Sequence, residues 1–329
     1  MLITRFTRLV GCTVPLQQAG MGGMATPALA AAVANAGGLG MIGAAGVPAL
    51  VLRELLGEAR KRTPGTFGVN FLMPFLDPAC VEAAAAGARV VEFFYGAPNP
   101  ELVDQVHVGG ALACWQVGSR EEAVAAADAG CDLIVVQGTE AGGHVRGKSR
   151  LLPLLDEVLR AVAVPVVAAG GIGTGEAMAV ALSAGADAVR VGTRFVAASE
   201  SPAHPRYVAA LIAADAEDTL LTETFSVGWP DAPHRVLRSA AEKALAFAQP
   251  VVGESAPAWD PSTRSPVPRL ASHTPTMLTS GAIEAMSLWA GESVGAVKQT
   301  QDAGAIVQEL LMAAERVLRP VAGESDAAH

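Results

Sequence analysis

The sequence predicts an α/β chain folded as a (β/α)8 barrel of the TIM type, with a smaller inserted cap region near the C-terminus. Three observations lead there. First, one joint recurs: an Ala-rich helical run ends in Ala-Gly and a short apolar strand follows at once. It occurs at Asn35-Ala36-Gly37-Gly38 before 39–43, Ala86-Gly87-Ala88 before 89–94, Ala129-Gly130-Cys131 before 132–137 and Ala184-Gly185-Ala186 before 187–192. Glycine tolerates the positive φ that ends a helix, and the β-branched residues that follow suit a strand buried on both faces. Second, further strand segments lie between these joints at 14–17, 66–71, 111–117 and 165–169, each followed by a helical pattern. Third, eight strands and eight helices then alternate over residues 14 to about 215, more strands than a usual open doubly wound sheet holds.

In chain order, the first strand opens into Gln17-Gln18-Ala19-Gly20-Met21-Gly22-Gly23-Met24, and Thr26-Pro27 caps the helix that follows. Residues 21–52 carry no charge and are long enough to cross a bilayer, but seven glycines and two prolines interrupt them. A buried helix followed by a buried strand reads better. Gly38, Gly40 and Gly43 spell G-x-G-x-x-G, yet they lie within a strand and no ribose-binding acid follows, so a dinucleotide fold is not implied. Later helices start at Asp77-Pro78, Asn99-Pro100 and Ser119-Arg120-Glu121-Glu122. Spacing between joints is too irregular for a solenoid. From 221 to 280 the chain turns Pro-rich, with helical signal only around 239–248; helical periodicity returns over 280–318. The expected organisation is a barrel over 1–220, an inserted cap or substrate region over 221–280, C-terminal helices returning to the barrel over 281–320, and a flexible tail over 321–329.

The chain's 329 residues are 51% hydrophobic and 17% charged, enough for a large core. A formal charge of -9 with no run of Lys or Arg argues against a nucleic-acid partner. Cys12, Cys80, Cys114 and Cys131 form no Cys-x-x-Cys pair, and the N-terminus shows no export signal, so a reducing cytoplasm is the expected compartment. His107, His204, His234, His273 and His329 show no metal-ligand spacing, and no metal is expected. The expected partner is a small molecule, with no membrane; a homo-oligomer is compatible with the sequence.

Barrel sites lie where strands end and loops begin. The strand at 165–169 runs into Gly170-Gly171-Ile172-Gly173-Thr174-Gly175 ahead of a helix, and the next ends at Arg190-Val191-Gly192-Thr193-Arg194-Phe195. Glycines let backbone N–H groups approach an anion, and these two strand ends are the usual phosphate site of such barrels. The strand ending at Gln137 leads into Gly138-Thr139-Glu140-Ala141-Gly142-Gly143-His144. A histidine among glycines lets a ligand ring lie close while the imidazole exchanges a proton. Asn70, Gln116 and the residues from Gln17 to Met24 point to the same mouth and suit a flat heterocycle. No lysine among Lys61, Lys148, Lys243 and Lys298 falls at a strand end, which excludes a Schiff-base aldolase, and Glu92 and Glu140 do not make a glycosidase pair. A phosphate-bound redox cofactor with one acid/base histidine is the economical reading.

The segments Pro15-Leu16-Gln17-Gln18-Ala19-Gly20-Met21-Gly22-Gly23, Asn35-Ala36-Gly37-Gly38-Leu39-Gly40, Gly138-Thr139-Glu140-Ala141-Gly142-Gly143-His144, Ala169-Gly170-Gly171-Ile172 and Gly192-Thr193-Arg194-Phe195 resemble the nitronate monooxygenase family, once called 2-nitropropane dioxygenases. The resemblance implies an FMN-containing barrel that oxidises alkyl nitronates with O2 to a carbonyl compound and nitrite. Carried over by motif, His144 is the acid/base, and Gly171, Gly192 and Thr193 hold the FMN phosphate. Gly20, Met21, Gly22, Asn70 and Gln116 border the flavin, and Ala19, Gly143 and Gly170 complete the set. Some members have lysine where this chain has Gln116. The same signature resembles FMN-dependent enoyl-acyl carrier protein reductases fed by NAD(P)H, the second enzyme reading; a flavin-binding protein without turnover is the third.

Overall fold

The computed structural model describes residues 2–319; the tail expected at 321–329 lies outside them. Eight parallel strands form the barrel: β1 (Leu16–Gln18), β2 (Gly40–Gly43), β3 (Phe67–Leu72), β4 (Val90–Phe94), β5 (Leu112–Val117), β6 (Leu133–Gln137), β8 (Val166–Ala169) and β9 (Ala188–Val191). Between β6 and β8 a two-residue strand, β7 (Gly143–His144), leaves the barrel. Neighbours follow chain order, β9 pairs with β1 at Leu16↔Val189, and a bridge between Gln17 and Leu39 joins β1 to the start of β2. That bridge closes the ring. Among the described residues no helix is long and apolar enough to cross a membrane.

Helix starts carry the caps the sequence offers: the side chains of Thr26, Asp77, Asn99, Ser119 and Thr174 each accept a backbone N–H of the first turn. The eighth wall helix differs from expectation. The helix after β9 is the four-residue Thr193–Val196, and Pro205–Ile212 buries Tyr207 and Leu211 in a second core instead of in the wall. The wall is completed by Ala303–Leu318, whose Ile306, Val307, Leu310 and Ala314 pack in the barrel's main core. The return of the C-terminal helix to the barrel agrees with the sequence expectation; the departure of Pro205–Ile212 to the second core does not, because apolar spacing marks a helix without naming its packing partner.

The second core gathers Met24, Val196, Tyr207, Phe225, Val236, Met286 and Leu288. Over it lie two small antiparallel sheets. In one, β10 (Thr219–Thr222) pairs with β11 (His234–Leu237), which also pairs with β7; in the other, β12 (Val251–Ser255) lies between β13 (Ser265–Pro268) and β14 (Ser280–Gly281). The stretch 282–301, where helical periodicity suggested helix, is built from the 3-10 turns Ile283–Ala285 and Glu292–Ala296 and irregular chain.

The barrel interior is layered by the two-residue period of its strands. At the bottom Met41, Val90, Leu112, Leu133, Val135, Val167 and Ala188 cluster with Phe6 and Val10 of the N-terminal helix Arg5–Val10. Arg5 fastens that plug by donating from Nε and Nη2 to the Asp187 carboxylate at 2.8 and 2.7 Å. Further along the strands the same inward positions turn polar: Glu92, Gln137 and Arg190 lie two residues past Val90, Val135 and Ala188, and Gln116 lies four past Leu112. Glu92, fully buried, accepts from Gln17 Nε2 at 3.0 Å and Asn70 Nδ2 at 2.6 Å and pairs with the Arg190 guanidinium. Arg190 also donates to Gln116 Oε1.

Removing one partner of a buried pair leaves the other charge unmatched, at a cost of about 3–5 kcal/mol, whereas removing both is far milder. Glu92→Leu is therefore expected to lower the urea midpoint steeply, and Glu92→Leu combined with Arg190→Leu to recover most of that loss. A single variant as stable as the parent would show that the pair does not hold the barrel.

Candidate active site

Above the polar layer, at the C-terminal ends of the strands, lies a cavity of about 1140 Å3. Ala19, Gly20, Met21, Gly22, Asn70, Gln116, Gly143, His144, Gly170, Gly171, Gly192 and Thr193 all line it. The structure thus brings these twelve residues to one place, but not Gln17 and Gln18, which the sequence also aimed at the mouth: both are buried beside it, Gln17 donating to Glu92 and Gln18 accepting the Met41 N–H. At Gly171 the backbone has φ +69, and a Cβ would sit 3.2 Å from that of Glu140. The N–H groups of Gly171 and Ile172 donate to no backbone carbonyl among the described residues. Thr193 Oγ1 accepts from Gly291 N–H at 3.1 Å, leaving its own proton free to donate.

His144 is held from both sides. Its carbonyl accepts from Gln137 Nε2 at 2.9 Å, and β7 pairs with β11 at His144↔His234. Gly142 packs so closely on the second lobe, the part of the chain built on the second core, that a Cβ there would lie 2.4 Å from Gly291 N. Glu140, without an evident partner in the sequence, accepts from Leu151 N–H at 2.9 Å and faces Arg150, which bridges to Glu292 at 2.8 Å; Arg235 reaches the same carboxylate at 3.3 Å. This chain of charges ties the histidine loop to residues about 150 positions later.

Around the imidazole stand aromatic rings. Trp229 stacks on it at 3.8 Å between centroids, Trp289 lies at 5.1 Å and His234 at 5.4 Å. Ser272 Oγ is 3.5 Å from its Nε2. Burial among these rings pushes the His144 pKa down to about 3, with a smaller contribution from His234. His144 is thus neutral at ordinary pH. His234 donates from Nδ1 to the Ala232 carbonyl at 2.8 Å and accepts the Phe225 N–H on Nε2 at 3.1 Å, so both its nitrogens serve the fold.

Sequence reading passed over Glu92 and Arg190 as site residues, although counting by twos from Val90 and Ala188 puts both inside the barrel. For Ser272, Trp229 and Trp289 no local signal exists, because the second lobe brings them in. Buried polar atoms without a protein partner include Gln137 Oε1, Arg190 Nε and His273 Nε2, and these three residues line the cavity. Unmatched donors and acceptors facing one cavity, beside a glycine cradle, suit a ligand with a polar ring edge and an anionic group.

The nitronate monooxygenase family model matches residues 4–82 and 79–313. A nitronate monooxygenase of Pseudomonas aeruginosa is 36% identical over 270 residues, 68% of this chain and 77% of that protein. A (3aS,4S,5R,7aS)-5-hydroxy-7a-methyl-1-oxo-octahydro-1H-indene-4-carboxyl-CoA dehydrogenase of Rhodococcus jostii is 36% identical over 239 residues, 72% of this chain and 66% of that protein's length. Among solved structures, FabK from Thermotoga maritima superposes with a TM-score of 0.78 at 30% identity, covering 97% of this chain and 98% of its own.

The histidine environment has a consequence for stability. Unfolded histidine takes up a proton near 6.5, which folded His144 refuses until about 3, so the unfolded state binds more protons between those values. Stability is full above pH 6.5 and falls as the pH drops toward 3; burial shifts His234 and His273 in the same direction. The thermal midpoint should decline from pH 6.5 to pH 4, and His144→Asn should flatten that decline. An unchanged slope in the variant would place the acid sensitivity elsewhere.

Proposed function

The chain belongs to the nitronate monooxygenase family, and on that premise we propose that it is an FMN-dependent oxidoreductase that oxidises alkyl nitronates with O2 to a carbonyl compound and nitrite. The observation that carries this reading is the convergence on one cavity of a neutral imidazole, His144, with the glycine-lined ends of β8 and β9. Gly171, Gly192 and Thr193 would hold the FMN phosphate, and Ala19, Gly20, Met21, Gly22, Asn70, Gln116, Gly143 and Gly170 would border the ring. Where some relatives have lysine, this chain has Gln116, whose Oε1 accepts from the buried Arg190 that also pairs with Glu92, so no lysine-like free charge is expected beside the ring. When bound, FMN supplies the electron-accepting ring.

The protein's own share is orientation, exclusion of water and proton handling. Trp229 and Trp289 keep the histidine dry, and Ser272 stands by its Nε2. A base with so low a pKa removes a C–H proton poorly. His144 therefore suits a substrate that arrives as the nitronate, which it meets as a neutral hydrogen-bonding partner. The second reading, an enoyl reductase fed by NAD(P)H, draws on the likeness to FabK; retention of the imidazole speaks against the third, binding without turnover.

Anaerobic mixing separates the two enzymes. An alkyl nitronate should bleach the visible absorption of the purified protein, while NADH and NADPH act slowly or not at all; the reverse pattern would put the reductase first. Extraction should release FMN and no FAD. Gly171→Asp should purify without flavin because it places a carboxylate beside the phosphate. Gly171→Ala, which carries the same backbone strain without the charge, should keep more of it. Full flavin in the Asp variant would locate the phosphate elsewhere.

A further inference from the structure

The cavity is larger than the ~300–1,000 Å3 usual for a small-molecule site, so a mononucleotide leaves much of it open. The mouth is apolar in an uncommon way. Phe75, Val227, Trp259 and Met277 all line it and are each at least 40% exposed, a clustering of large apolar side chains that a soluble surface otherwise avoids. From there apolar surface continues inward: Phe75 packs edge-on against Trp229 at 5.1 Å, and Trp229 stacks on His144.

Charge narrows the occupant further. Among the described residues lining the cavity the sole Lys or Arg is Arg190, buried in the polar layer and paired with Glu92; two carboxylates, Glu58 and Glu200, also line it. A substrate whose far end carries phosphate or carboxylate groups finds no cation on the way in and two like charges. We propose that the site takes a substrate with an uncharged, extended apolar tail, running from His144 past Trp229 to the mouth at Phe75, Val227, Trp259 and Met277. The identity of its reacting head rests on the nitronate reading; the tail does not. Water leaves apolar surface on both sides when the tail enters, which favours each added methylene.

Calorimetric titration of the holoenzyme with unreactive probes tests the tail apart from turnover. From 1-butanol to 1-decanol the Kd should fall about three- to four-fold per methylene, and 10-hydroxydecanoate, charged at its far end, should bind at least about ten-fold more weakly than 1-decanol. Trp259→Ser combined with Met277→Ser, both at the exposed mouth, should flatten the series beyond hexanol and leave butanol unchanged. A flat series in the parent, or equal binding of 10-hydroxydecanoate, would overturn the proposal. Failure of the two readings looks different: alkanols that follow the series while no nitronate is consumed leave the tail site standing and remove the nitronate head, whereas nitronate turnover with a flat alkanol series does the opposite.

Discussion

Inside the barrel a carboxylate and a guanidinium, Glu92 and Arg190, sit out of reach of bulk water and hold the layer on which the cavity stands. Charges buried this way are tolerated only when their remaining hydrogen-bonding capacity is met, and here Gln17, Asn70 and Gln116 meet most of it. Because five different strands contribute, the layer also fixes how those strands sit against one another. Burial pulls Arg190 down to about 9, which still leaves it charged at neutral pH. The cavity floor therefore carries an ion pair and not a lone charge, with Arg190 Nε left without a protein partner.

The catalytic candidate depends on a different kind of support. His144 sits on a glycine-rich loop that could not hold an imidazole still by itself, since glycine leaves the backbone with more freedom than any other residue. Rigidity comes from the second lobe: β11 pairs with β7, Gly291 packs against Gly142, and the Glu140, Arg150, Glu292 and Arg235 network crosses between the two. The aromatic rings that enclose His144 come largely from the same lobe, so one packing interface both positions the side chain and removes its water. Low pKa and fixed geometry are thus two results of a single contact.

What was legible in the sequence follows from how local the signals are. The barrel strands, most wall helices and the glycine loops could be read because a helix stop, an N-cap or a run of β-branched residues acts within a few positions. His144 stood out for a similar reason, as an acid/base group among glycines. Glu92 and Arg190 were half legible, since the strand period assigns them inward, but only the closed ring shows that the two inward positions coincide.

The sequence by itself determined the alternation of strand and helix, the polar and apolar faces, and the loops where an anion can meet backbone N–H groups, because these depend on neighbours in the chain. The sequence expected the last helix to return to the barrel, but tertiary structure alone decided that Pro205–Ile212 leaves the wall for the second core. It likewise decided that Trp229, Ser272 and Trp289 surround His144, and that the cavity mouth is apolar and nearly free of cations. The physical reason is range: capping and periodicity act over a turn of chain, whereas burial, desolvation and charge pairing depend on which distant segments come to share a surface.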